Sequence, residues 1–304
     1  MVNNSKMIPA TRLYLYKPTF SFIKKFTFLR KVILLTFNNR NIVKNIVIIP
    51  CLAFLLIMGS FKPAGLALYK VDKVVIDAGH GGKDPGTHGL ISQEKTIALK
   101  IAKTLGRIIE EELKDVEVIY TRTTDEFIEL EDRAMIANKN DADVFISIHC
   151  NAVPGNKERI YGTETYVMGT HVDEGNFEIA KRENSVILME DDYEERYEGF
   201  DPESPESLIL FSIFQNAYIE NSLDLAEKVE DQFEKRVGRN SRGVRQAGFW
   251  VLWRTSMPSV LIEVGYLSNP KEEKYLNDEL GQVYLASGIY RALRDYKTEI
   301  ESNN

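Results

Sequence analysis

From residue 71 onward, short apolar runs alternate with stretches in which apolar positions recur every three or four residues. The first run, Lys73 to Asp77, is β-branched and breaks into glycines, the pattern of a short buried strand. Glu94 to Leu113 follows with Ile97, Ile101, Leu105 and Ile108 at helical spacing, which predicts an amphipathic helix. VEVIYTR (116–122) predicts a strand, Leu130 to Asn138 a helix, and DVFISIHCNA (143–152) a buried strand. TETYVMG, from Thr163, reads as a strand and NFEIAKRENSVILME (176–190) as a helix. EDDYEERYEGFDPESPE then carries nine acidic residues against the single Arg196, the composition of a solvated loop. A long helix is expected over LILFSIFQNAYIENSLDLAEKVEDQFEKRVG, with Phe211, Phe214, Tyr218, Leu225, Val229 and Phe233 along one stripe. FWVLWRT and SVLIEVGYL read as two further strands, separated at Met257-Pro258, and DELGQVYLASGIYRALRDYKTEI as a closing helix. Strands alternating with helices predict an α/β sheet with parallel members, in one domain of catalytic size carrying an insertion near 170–210.

The first 67 residues depart from this pattern. Met1 to Asn45 holds nine lysines and arginines and no acid, and an uncharged run, IVIIPCLAFLLIMGSF, follows it. A basic region, a short apolar core and the small residues around Gly65-Leu66-Ala67 make a secretory signal or a signal anchor, so residues 68–304 are expected to be exported. Membrane contact is expected through that segment alone, if it stays uncleaved. Cys51 lies within it, leaving Cys150 as the one thiol beyond and no internal disulfide framework. The net charge of −7 offers no basic stripe for nucleic acid.

The chemistry gathers at the ends of the expected strands, where open α/β sheets place ligand groups. His80 follows the first strand, His149 lies near the end of DVFISIHCNA, and Glu263 sits in SVLIEVGYL; Glu94 opens the first long helix. The glycines around His80 raise a phosphate loop as an alternative. GHGGKDPG lacks the required spacing, however, and Lys83 has no Ser or Thr after it. Two histidines and a carboxylate instead match a hydrolytic zinc site that keeps a position for water, with a further carboxylate as general base.

IDAGHGGKDPG, EKTIALKIA, YTRTTDEFIELEDRAMIAN, FISIHCNA and VLWRTSMPSVLIEVGYLSNPKEE together resemble the zinc-dependent N-acetylmuramoyl-L-alanine amidases of bacterial cell-wall remodelling. The resemblance spans nearly everything from Lys73 to the C-terminus except the block near 170–210. It implies an open, twisted, mostly parallel central sheet flanked by helices, with His80, Glu94 and His149 as Zn2+ ligands and Glu263 as the catalytic carboxylate. The substrate it implies is peptidoglycan, cut between the lactyl group of N-acetylmuramic acid and L-alanine of the stem peptide. Relatives with an insertion at this place look like enzymes held off by a helix over the zinc, which a protein activator displaces. Glu183, in AKRENS, is the carboxylate expected to reach the metal here, and the periplasm is the compartment implied. A non-catalytic peptidoglycan-binding protein and a zinc carboxypeptidase on stem peptides are the competing functions.

Other residues read as structural. Arg122 and Arg133 are expected as ion-pair or loop-anchoring groups, His88 as a solvated loop residue, and Cys150 as a buried thiol facing away from the site. Glu263 is flanked by Ile262 and Val264, where a buried unpaired carboxylate is costly unless it has a function.

Overall fold

The computed structural model describes residues 70–154, 157–169, 174–212 and 217–302. The expected export segment lies outside them. Among the described residues no helix is long and apolar enough to cross a membrane.

Six strands form one mixed sheet: β1 (Lys73–Ala78), β2 (Glu117–Tyr120), β3 (Val144–Asn151), β4 (Thr163–Met168), β5 (Ser241–Ala247) and β6 (Ser259–Tyr266), in the spatial order β2-β1-β3-β6-β4-β5. Every neighbouring pair is parallel except β4 with β6. The sheet is therefore open and mostly parallel, as expected. Its three central strands read as near-continuous apolar runs because both faces are covered.

Alternation along the strands sorts the two faces. Val74, Ile76, Ile146, Ile148, Cys150, Ile262 and Val264 face one core, closed by α1 (Glu94–Glu112), α6 (Ile219–Gln232) and α9 (Glu279–Ser302), the last preceded by α8 (Pro270–Asn277). Val75, Phe145, Tyr166, Met168 and Leu261 face the other. That second face is covered by α2 (Leu130–Lys139), α7 (Trp250–Trp253) and the segment expected as an insertion, from which α3 (Glu174–Asn184), a 3-10 turn (Ser185–Met189) and α4 (Tyr193–Arg196) contribute; α5 (Pro205–Ser212) follows them. His149 and Glu263 alternate with Ile148, Cys150, Ile262 and Val264, so their side chains lie on the insertion's face.

Four expectations need correction. FWVLWRT is not a strand: Trp250–Trp253 forms one helical turn, and the fifth strand is the preceding SRGVRQA. The expected helix over 176–190 ends at Asn184 and tightens into the 3-10 turn. The long helix is divided into α5, α6 and a π-helical turn at Phe233–Val237. The acidic segment is also more built than a solvated loop. Tyr197 is buried against Trp250, ring centres 4.7 Å apart, and its hydroxyl donates to Glu190 Oε2 at 2.5 Å. Glu190 Oε1 accepts from the Leu130 amide at 2.9 Å, and Arg196 pairs with Glu129, Glu131 and Asp132 of the α2 region. Partners on α2 thus order a stretch whose composition alone points to water.

Candidate metal centre

The turn after β1 carries His80 in the left-handed region, at φ 61°, a conformation that a non-glycine residue holds only where the surroundings enforce it. Two buried arginines enforce it. Arg122 donates to the carbonyls of Ala78 and Gly79, at 2.9 and 2.8 Å. Arg133 donates to those of Ala78 and His80, both at 2.8 Å, and pairs with buried Asp77 at 2.8 Å. Thr121 and Ser147 also donate to Asp77, each at 2.7 Å. Burial pushes the Asp77 carboxyl up, but Arg133 and the two hydroxyls outweigh it and leave it below its ordinary value. Both arginines anchor the loop, as their sequence context led us to expect.

His80 Nδ1 lies 2.7 Å from Asp84 Oδ2, which fixes the ring and turns Nε2 inward. Asp84 was missed in the sequence, although it stands four residues after His80 within the same glycine-rich run. Glu94, the first residue of α1, is fully buried, with Oε1 accepting from the Cys150 amide and Oε2 from the Thr87 amide, both at 2.8 Å. His149 reaches the same point with Nδ1. The neighbouring glycine makes room for that ring. A Cβ on Gly79 would lie 2.5 Å from the His149 ring, so this glycine is the space in which that imidazole sits. Cys150, one residue on, is buried in the opposite core, and His88 is exposed in its loop.

The fourth group comes from the insertion. Glu183 Oε2 lies 3.3 Å from His80 Nε2 and 3.2 Å from His149 Nδ1; Glu94 Oε1 is 3.1 Å from each of those nitrogens. Four corners around one cation with arms of about 2.0–2.1 Å would be about 3.3–3.4 Å apart. His80 Nε2 and Glu183 Oε2 are buried and make no hydrogen bond despite their proximity, so they address a common centre rather than one another. These four buried residues could hold a metal ion, and the two-nitrogen, two-oxygen set fits one. The charges agree. Burial lowers both imidazoles, yet the facing carboxylates raise His80 well above its ordinary value and His149 to about 9. Burial raises Glu94 and Glu183, but His80, foremost for Glu94, and Arg182, foremost for Glu183, together with His149 bring both below the carboxylate range.

Glu263 stands beside this set, paired across the strands with His149 of β3. Burial, with Glu183 and Glu94 close by, pushes its carboxyl well above the usual range even though Arg182 opposes the shift. Arg182, unnoticed in the sequence although it adjoins Glu183, bonds Glu183 Oε1 through Nε at 2.8 Å and reaches Glu263 Oε1 through Nη2 at 3.5 Å. With α3 in place the void between the histidines, Asp77 and Glu183 is only about 10 Å³, at the lower limit for a single water.

A family profile described as N-acetylmuramoyl-L-alanine amidase matches residues 74–295, which include every residue of this cluster. The chain belongs to the N-acetylmuramoyl-L-alanine amidase family. It is 32% identical over 241 residues to the amidase AmiA of Salmonella typhimurium, covering 78% of this chain and 80% of that one. Among solved structures, the N-acetylmuramoyl-L-alanine amidase of Clostridium difficile 630 superposes with a TM-score of 0.56 at 31% identity, over 75% of this chain and 97% of that chain. The CwlD amidase of Clostridioides difficile, solved in complex with the GerS lipoprotein, matches with a TM-score of 0.55 at 26% identity, over 75% of this amidase and 99% of that one.

Proposed function

We propose that this chain is a zinc-dependent peptidoglycan hydrolase, cleaving the amide between N-acetylmuramic acid and L-alanine of the stem peptide, and that its insertion holds it latent. The observation that carries this reading is the convergence of His80, Glu94 and His149 with a carboxylate, Glu183, from an element laid over them. His80, Glu94 and His149 would hold the zinc, and Glu183 would occupy the position that water needs. When bound, zinc would polarise the amide carbonyl and make a water acidic enough to lose a proton near neutral pH. Glu263 is the base. Its raised carboxyl is suited to accept a proton near neutrality, and its Oε2 makes no hydrogen bond that would compete. The same carboxyl then returns the proton to the departing alanine nitrogen. Asp84 and the two arginines position His80 and take no proton.

Latency has two arms on consecutive residues. Glu183 fills the fourth corner, and Arg182 draws on the base itself. Releasing α3 would free both at once. A protein activator is the agent we propose, in line with the lipoprotein complex solved for the CwlD amidase. Residues 68–304 would act outside the membrane, in the periplasm or cell envelope, after export by the N-terminal segment. The role would be wall remodelling or separation of daughter cells.

Digestion of purified sacculi by the zinc-loaded full chain, and by a version lacking about residues 176–206, tests the reading through mass analysis of the products. Free stem peptides beginning with L-alanine, released faster by the deletion, are expected. Loss of D-alanine would make the protein a carboxypeptidase, and an unaltered digest a binding protein. Equal rates from both versions would remove the latency.

A further inference from the structure

A polar row crosses the sheet beyond the metal centre. His149 faces Glu263 across β3 and β6, and Glu263 faces Glu164 across β6 and β4. Glu164 is buried, and Arg242 Nε donates to its Oε1 at 2.8 Å, with Arg245 Nε 3.3 Å away. Its Oε2 accepts from Asn151 Nδ2 at 3.1 Å and Tyr166 Oη at 2.9 Å. One enclosed acid therefore anchors two arginines of the edge strand, in a chain whose net charge is −7.

Arg245 is half-buried and Arg242 is more exposed. With Arg182, Tyr166 and Tyr266 they line a cavity of about 560 Å³, within the size range of small-ligand sites. Ile160 gives it an apolar wall outside α3, and α3 closes one side through Ile179. The bond to Glu164 uses Arg242 Nε, and the guanidinium lies 5.6 Å from the centre of the Tyr266 ring. A guanidinium has five donors in a planar fork suited to a carboxylate; Glu164 engages Nε and Tyr266 is a further hydrogen-bond partner, which leaves the remaining donors for a ligand.

The spacing identifies what could reach it. Directly opposed residues on neighbouring strands stand about 5 Å apart, which puts the arginine pair roughly 10 Å from Glu263, a span that two residues of extended chain, about 7 Å, and the reach of an arginine side chain cover together. Resting on the reading of Glu263 as the base of a stem-peptide amidase, we propose that this cavity is an acidic-peptide subsite. Arg242 and Arg245 take the carboxylate carried by the residue following L-alanine, and the apolar wall takes the alanine methyl. The arginines thereby select stem peptides whose second residue keeps a free carboxylate over those in which it is amidated.

The test uses the full chain and two synthetic probes, the tetrapeptide L-Ala-γ-D-Glu-L-Lys-D-Ala and its counterpart amidated at the second-residue carboxylate, titrated calorimetrically. The acid is expected to bind at least tenfold more tightly than the amide. Arg242→Gln and Arg245→Gln should each weaken the acid about tenfold and leave the amide within twofold, with Arg245→Lys retaining part of the preference. Equal affinity for acid and amide on the unsubstituted protein would overturn the subsite, a result that does not depend on any variant folding. If sacculus digestion still releases stem peptides in that case, the subsite alone fails. If no stem peptide is released, the amidase reading fails with it.

Discussion

Arg133 is the residue on which the metal-side turn depends most, and replacing it with methionine measures that dependence. The side chain is 1% exposed and makes four bonds: to Asp77, to the carbonyls of Ala78 and His80, and from Nε to the Ile128 carbonyl at 2.9 Å. Methionine fills much of the volume but leaves Asp77 charged, buried and held only by Thr121 and Ser147. Breaking a buried pair from one side costs about 3–5 kcal/mol. The lost carbonyl bonds overlap with that cost rather than adding in full, so about 4 kcal/mol is expected. For a domain of this size that lowers Tm by roughly 8–16 °C. The pH dependence has a definite sign. In the parent the Asp77 carboxyl sits below 3.8, so its contribution is present above that value and is lost as pH falls through the lowered one. In the variant the same carboxyl titrates higher, so the deficit is full near pH 7 and closes on acidification. Thermal melts of parent, Arg133→Met, Asp77→Asn and the double variant at pH 7 and pH 5 would show this, with a coupling of at least about 2 kcal/mol between the two positions. A Tm loss under about 3 °C, or additive single effects, would refute the proposed anchoring.

Further outcomes follow from the same geometry. Glu263→Gln should retain metal and fold, read by metal content and melting, while losing nearly all turnover. Glu183→Ala should raise the basal rate of sacculus hydrolysis at least tenfold, because the lost contacts favoured the closed α3. In chelator-treated protein, His80 and His149 titrate above 6.5, so their stabilising charge is complete below that pH and lost as pH rises through about 9 for His149. Its Tm should therefore fall between pH 6.5 and 9, whereas metal affinity, which requires those protons to leave, should rise over the same interval.

The central strands were legible because both of their faces are buried, leaving uninterrupted apolar runs, and α1 because its stripe repeats at helical spacing. β5 escaped because SRGVRQA is a half-buried edge strand with almost no apolar content, its arginines directed at a ligand-sized cavity. FWVLWRT misled for the opposite reason. A short apolar run does not distinguish strand from helix, and here one helical turn lets Trp250 pack against Tyr197, Phe200 and Trp253. The histidines, Glu94 and Glu263 stood out as polar residues at strand ends or at a helix start. Asp84, Arg182 and Glu164 did not, since each acts through a partner whose proximity only the folded chain creates.

Gly79 and His149 stand 70 positions apart, yet the ring of one occupies the volume that any side chain on the other would need. The glycine motif is thus written partly by a residue on another strand. Across a lineage these two positions are expected to change together or not at all, and a substitution at 79 would be silenced only by a smaller group at 149. A protein carrying that pair would have lost one member of the candidate metal set without any mutation in the motif's own histidine.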